Sequence, residues 1–366
     1  MLISYFKSIH VVHFTFDLWS SPNHLSFLGL TGHWIAPDGK ACHALLGLRR
    51  LYGAHTGENQ SKLVFEILQE FDLLTKVGYF TLDNARNNDK ALSCLAILLN
   101  NVGVSFDPVE SRLRCLGHII NLVVKVFLYG TDLEVDMNNI HSDDENPQET
   151  IKEWRRRGPY GRLRNIITYI CWTPQRREEF TTIAKEHSPD DQAFQPIAAN
   201  QTRWNGDFKA IQRALHLRDP IELFITRHIR DGLVEDQLSI EDWKELQDLV
   251  TILEPFYRLT LSLEGHRSNG ALYDLLACMD TLLEHLEDAS NKYIANSASD
   301  HLITSIKLAW DKLNKYYSLI DNNTVLYAAV ALHPGMKFEY FEVNWAEHPE
   351  WIVNVRQKVQ DLWIQK

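Results

Sequence analysis

Cysteine is scarce in this chain of 366 residues: five, at Cys42, Cys94, Cys115, Cys171 and Cys278. An odd number so widely spaced gives no readable disulfide framework, and a reducing compartment is expected. Positive charge is also short. Thirty-seven Lys and Arg against 48 Asp and Glu leave a net charge of −11. That argues against a domain gripping nucleic acid by bulk positive charge, although local basic clusters can still do so. No apolar run approaches the ~20 residues needed to cross a bilayer. The opening stretch, MLISYFKSIHVVHFTFDLW, lacks the charged start, apolar core and small-residue cleavage site of a secretory signal. A soluble, intracellular protein is expected. With 17 Gly and 12 Pro the chain is neither fibrous nor of low complexity. No repeat of 20–50 residues is visible.

What remains is an ordinary globular composition, 45% hydrophobic with ten Trp, long enough for two or three domains with real cores. The most informative stretch is KVGYFTLDNARNND, Lys76 to Asp89. Val77, Tyr79, Phe80 and Leu82 form a short β-prone run suited to a strand buried in a sheet. The run stops at Asp83-Asn84. Ala91, Leu92, Cys94, Leu95, Ile97, Leu98 and Leu99 then recur at helical spacing. Asp83 therefore stands where a strand gives way to a helix, at the carboxyl edge of a sheet, where open α/β sheets place their sites. The competing reading makes Asp83 or Asn84 a helix cap.

Upstream, Val11–Phe16 is a strand candidate ending at Asp17, followed by Leu25–Ile35 and Ala41–Leu48. Pro37-Asp38-Gly39 is a turn, and such short connections make these three strands an antiparallel meander. A helix opening at Thr56 to Asn59 carries the stripe Leu63, Val64, Ile67, Leu68 and Phe71. A short fifth strand at Arg112–Cys115 and a helix over Leu116–Leu128 close an order β-β-β-α-β-α-β-α. A strand-helix-strand crossover makes the fourth strand parallel to its neighbour. If the first and fourth strands are adjacent, Asp17 and Asp83 lie side by side. Two carboxylates aimed at one spot repel unless a cation sits between them, and Mg²⁺ is the usual partner.

FDLWSS (16–21), GYFTLDNARNND (78–89), RCLGHIINLVVK (114–125), TRWNGD (202–207) and LHPGMKFEYFEVNW (332–345) resemble, in order, the characteristic blocks of hAT-superfamily transposases, the last as seen in fungal members. These are cut-and-paste DNA transposases on a ribonuclease-H-like fold. The resemblance implies a mixed α/β sheet with a large all-α insertion or second domain. It implies that Asp17 and Asp83 are two of three acidic ligands for Mg²⁺ or Mn²⁺, that Cys115 and His118 flank the centre, and that transposon-end DNA is the partner in a nuclear setting. The family's N-terminal BED-type zinc finger and its C-terminal dimerisation block, which supplies the third, glutamate ligand, have no counterpart here. A central fragment, a weakly bound metal, little catalysis and a monomer are the expectation. Glu254 and Glu264 are poor substitutes for the missing acid, since helix-surface glutamates are common.

Three further readings concern the second half. Asp132–Glu149 is acidic and aperiodic, and reads as a solvated, disordered linker over 131–150. It divides a domain at 1–130 from a helical one at 151–366. Trp154–Arg164 concentrates five arginines beside aromatic residues. Arg155, Arg156 and Arg157 there either meet phosphates or form the basic turn of a surface helix. Arg203 and Trp204 either touch DNA, the indole stacking on an extruded base, or Trp204 anchors the next helix.

Overall fold

The computed structural model describes residues 2–130, 147–187, 194–198, 203–229, 232–264, 272–320 and 323–365. The chain divides into two compact units, one made of Met1–Ile119 with Tyr317–Lys366, the other of Ile120–Tyr316.

In the first unit, strands β1 (Val12–Ser20), β2 (Ser26–Ile35), β3 (Ala41–Leu51), β4 (Val77–Leu82) and β5 (Arg112–Arg114) form one mixed sheet in the order β3-β2-β1-β4-β5. The first three strands are the antiparallel meander read from the sequence. β4 pairs parallel with β1, and β5 pairs parallel with β4. Helices α1 (Leu2–Phe6), α2 (Gly57–Glu70), α3 (Arg86–Asn100) and the first residues of α4 (Leu116–Tyr129) complete the run. This is the expected mixed α/β sheet followed by many helices. Thr56 caps α2, its hydroxyl accepting from the Asn59 N–H at 3.3 Å. The stripe residues Val64, Ile67 and Leu68 of α2 join Phe14, Leu28, Leu30, Phe80 and Leu92 in one buried core. Phe14 and Phe80 stack with ring centres 5.1 Å apart, across β1 and β4.

One strand boundary differs from the sequence reading. β1 does not end at Asp17 but continues to Ser20, because β2 keeps pairing with it through Leu18–Leu28, Trp19–Phe27 and Ser20–Ser26. Trp19 and Phe27, 6.1 Å apart, form the cross-strand aromatic pair that sustains the extension.

The chain's last fifty residues, read from sequence as part of the helical domain, group with the sheet unit. The Asn323 amide donates to the carbonyls of Val109 (3.4 Å) and Glu110 (2.8 Å).

The second unit is helical: the rest of α4, then α5 (Pro147–Arg155), α6 (Gly158–Cys171), α7 (Pro174–Glu186), α8 (Asn205–His216), α9 (Arg218–Arg227), α10 (Ile240–Glu264), α11 (Leu272–Ala295) and α12 (Asp300–Ser318). Of the acidic segment 131–150, residues 131–146 lie outside the described residues, and Pro147 onward opens α5. Pro255 sits inside the single helix α10, where Leu253 and Phe256 are each 1% exposed and hold both sides in the core.

Candidate functional site

The register of β1 on β4 sets the geometry. Thr15 pairs with Thr81, so Asp17 and Asp83 each stand two residues beyond an in-step pair on adjacent parallel strands. Both fall toward the carboxyl end of the sheet, as the sequence implied. Asp17 is still within β1, opposite Gly29 of β2, and is exposed. Its Oδ1 accepts from the Leu18 N–H at 2.9 Å. Asp83 follows the last residue of β4 and is half-buried. Its Oδ1 accepts from the Ala85 N–H at 3.0 Å and from the Asn88 amide at 2.6 Å. Asp83 therefore shapes the turn into α3 as well as standing at the sheet end, so capping and site readings are compatible. Ala85, in the N-cap position of α3, offers no side-chain bond of its own.

The Asp83 turn is tied from β5. Arg112, 4% exposed, donates through Nη2 to the Asp83 carbonyl, through Nη1 to the Leu113 carbonyl at 3.0 Å and through Nε to Asp89 Oδ1 at 3.0 Å. Burial pushes its guanidinium below its ordinary range, and Asp89 opposes that shift. Arg114 reaches Asp89 Oδ2 at 3.3 Å and Asn84 Oδ1 at 3.4 Å. Sequence reasoning missed Asn88, Asp89, Arg112 and Arg114. The only available signal was the place of Asn88, Asp89 and Arg114 inside the blocks at 78–89 and 114–125, with Arg112 just ahead of the latter.

Cys115 lies between β5 and α4, half-buried and unbridged. Its N–H donates to the Leu82 carbonyl at 3.0 Å, which fixes it beside the residue preceding Asp83. His118 follows in the first turn of α4. Among the described residues no three His, Cys, Asp or Glu side chains gather in a cluster able to hold a metal. Asp17 and Asp83 do offer the hard oxygen donors that Mg²⁺ and Mn²⁺ take, and one or two carboxylates with water and phosphate suffice for such an ion. Of the two glutamates considered as a third acid, Glu254 is paired with Arg258 at 2.6 Å.

In the helical unit the arginine-rich stretch is engaged internally. Arg155 forms ion pairs with Glu235 and, at 2.7 Å, with Asp236. Arg157 lies 4.1 Å over the Trp154 ring and 5.1 Å over Tyr129. Arg162 pairs with Asp242. Arg164 lies 3.9 Å from the centre of the Trp154 ring and approaches Asp207 at 3.7 Å. Arg156 is the exposed one of the five. Acidic side chains from far downstream, together with Trp154 and Tyr129, draw the other four inward, so the phosphate-facing reading of Arg155 and Arg157 does not fit this arrangement.

Trp204 is 2% exposed and packs edge-on against Phe208 and Tyr257, each 6.1 Å away. It occupies the N-cap position of α8. Of its two readings the structure has the anchor; in this conformation the indole offers no face to a base. Arg203 beside it is exposed. The Trp204 N–H donates to Asn121 Oδ1 at 3.2 Å, which ties the block at 202–207 to that at 114–125. Asp207, from the same block, is fully buried. It accepts from the Tyr160 hydroxyl and, at 3.4 Å, from that of Tyr129. Burial holds its carboxyl above the ordinary range, against the pull of Tyr160 and Arg164. Burial likewise lowers the ammonium of Lys125, whose charge Asp207 favours.

Among the described residues no helix is long and apolar enough to cross a membrane. The chain matches the models of the ZBED1 RNase-like domain over residues 15–105 and the ZBED1 RNase-like helical domain over residues 113–252, together more than half its length. It is 26% identical to the putative transcriptional regulator tpeD of Talaromyces stipitatus over 94% of this chain and 38% of that protein. It is 25% identical to the putative AC transposase of Zea mays over 70% of this chain and 29% of that one. It is 22% identical to the zinc finger BED domain-containing protein RICESLEEPER 2 of Oryza sativa over 96% of this chain and 45% of that one. The chain thus spans less than half the length of these relatives. Sheet order, helical continuation and both domain models agree: the chain belongs to the hAT-type, transposase-derived family.

Proposed function

We propose that Asp17 and Asp83 are the surviving carboxylates of a metal-dependent DNA-cleaving and strand-transfer centre, and that this chain alone cuts transposon-end DNA little or not at all. The observation that carries the reading is the step-matched position of the two aspartates on β1 and at the end of β4. A bound Mg²⁺ or Mn²⁺ would activate water or a 3′-hydroxyl and stabilise the leaving oxygen. Asp17 and Asp83 would hold it, and their mutual repulsion would be relieved by it. The turn bonds from Ala85 and Asn88 keep the Asp83 carboxylate in place before any ion arrives. Low activity belongs to the reading because, among the described residues, no third His, Cys, Asp or Glu gathers with the two aspartates, which leaves water and phosphate to complete the shell. DNA as partner and the nucleus as compartment belong to this same reading, supported by the relatives named as transposases. So does a monomeric state.

Mn²⁺-supplemented cleavage of transposon-end DNA, wild type against Asp83→Ala, tests it. The expected result is no robust cutting by either. Robust cutting that depends on Asp83 would refute the inactivity and retain the centre.

A second reading is a DNA- or protein-binding module without catalysis. The Talaromyces relative, named a putative transcriptional regulator and aligned over nearly all of this chain, favours it. Salt-dependent DNA binding unchanged in an Asp17→Asn/Asp83→Asn double variant would support this alternative.

A further inference from the structure

Asp89 accepts from both arginines whose other hydrogen bonds tie the Asp83 turn to β5. It lies in the first turn of α3. Its Oδ1 receives Arg112 Nε at 3.0 Å, and its Oδ2 receives Arg114 Nη2 at 3.3 Å. The two guanidiniums pass the constraint on in different directions. Arg112 donates to the main-chain carbonyl of Asp83, and Arg114 donates to the side chain of Asn84 at 3.4 Å. Both arginines sit on β5, in register with Phe80 and Leu82 of β4. The sheet therefore fixes their backbone relative to the strand that Asp83 ends. Arg112 is 4% exposed, and a buried guanidinium keeps one orientation only if its hydrogen bonds are satisfied. Removing the Asp89 charge would leave Arg112 with carbonyl acceptors alone.

We infer that Asp89 is a positioning residue for the Asp83 carboxylate, acting through Arg112 on the Asp83 carbonyl and through Arg114 on Asn84. The inference rests on the reading that Asp17 and Asp83 hold a divalent cation, and it names what presets that pair. Outer groups that orient metal-binding side chains typically change metal affinity by about 10–100-fold when mutated. Because the ion here has few protein ligands, misplacing one of the two carboxylates weakens binding without abolishing the fold.

The test is Mn²⁺ binding by the full chain, read from water-proton relaxation enhancement and free-Mn²⁺ electron paramagnetic resonance, with no DNA and no turnover involved. Wild type, Asp83→Asn, Asp89→Asn and Arg114→Gln are compared, with Ile67→Val as a core variant that costs stability away from the turn. The expected pattern is binding by wild type, loss in Asp83→Asn, affinity weakened about tenfold in Asp89→Asn and less in Arg114→Gln, and none of this in Ile67→Val. Should Asp89→Asn not fold, Arg114→Gln, whose side chain is the less buried of the two arginines, carries the comparison. Wild-type affinity in both Asp89→Asn and Arg114→Gln, with Asp83→Asn still defective, overturns the positioning role and leaves the metal site standing. Absence of binding in wild type, or binding untouched by Asp83→Asn, overturns the metal site and the positioning role with it.

Discussion

The main-chain N–H of Trp204 donates to Oδ1 of Asn121 across 3.2 Å, although 83 residues separate them. Two sequence blocks that look independent are thereby one structural unit. Asn121→Ala leaves a partly buried N–H without its acceptor, a loss of about 1–3 kcal/mol. Urea denaturation should place it there. A change under about 0.5 kcal/mol would mean that another acceptor replaces Asn121.

Trp204→Ala removes a side chain that is 2% exposed and bordered by Phe208 and Tyr257. The expected destabilisation is about 3–5 kcal/mol, with Trp204→Phe appreciably milder. If Trp204→Ala unfolds at the wild-type urea midpoint, the indole is not the anchor of α8.

The arginine run separates into two behaviours. Arg155→Ala strips the charge partner from Asp236, which is 2% exposed. Asn165 still donates to Asp236 at 2.9 Å, so the expected cost is about 3 kcal/mol, the low end for a broken buried pair. Arg156→Ala, at an exposed position, should stay within about 0.5 kcal/mol of wild type. Any DNA affinity the stretch supplies should fall with Arg156→Ala and show a shallower salt dependence. Equal stability losses in the two variants would refute this division.

How far the sequence reaches is visible in these same residues. The meander, the parallel return of β4 and the helix after Asp83 were legible because alternation, a Pro-Asp-Gly turn and 3.6-residue periodicity are local signals. That the aspartates stand side by side was conditional on β1 and β4 being neighbours, which the sheet order supplies together with the register. The extension of β1 past Asp17 was not legible, since it depends on pairing with β2 rather than on β1 itself. The fate of Arg155, Arg157, Arg162 and Arg164 was not legible either. Arg155, Arg162 and Arg164 meet Asp236, Asp242 and Asp207 from distant segments, Arg157 lies over Tyr129 from α4, and a run of charges in one segment says nothing about the groups that fold back onto it. Arg112 and Asp89, 23 residues apart, were hidden for the same reason.

Asp207 gives a pH dependence with a definite sign. Burial raises its carboxyl above the ordinary 3.8, so between 3.8 and the raised value the folded state binds the proton that the unfolded chain has already lost. Stability must then fall as pH rises through that window, and the full cost persists above it. Asp207→Asn does not titrate. Measured by urea unfolding at successive pH values below 8, wild-type stability relative to Asp207→Asn should decline as pH increases from about 3.8 and then level off. A pH-independent difference would contradict the burial of an ionising group at this position.

Two glycines make opposite predictions from one kind of measurement. A Cβ built on Gly161 would lie 1.7 Å from the Trp154 carbonyl oxygen. That obstacle is main chain, from the last turn of α5 against the first of α6, so it cannot rotate away. Trp154 also carries Arg157 and Arg164 on its ring, and moving α5 disturbs both stacks. Gly161→Ala should therefore cost at least about 3 kcal/mol, the upper end for an overpacked site. Gly117, in α4, has nothing within 4 Å of the corresponding position and no positive φ. Gly117→Ala removes backbone freedom from the unfolded chain without a clash, and should be neutral or up to about 1 kcal/mol stabilising. Thermal melts of the two variants should move in opposite directions or, at the least, differ by several degrees. If Gly161→Ala melts with wild type, α5 and α6 do not approach as closely as the Trp154 carbonyl requires.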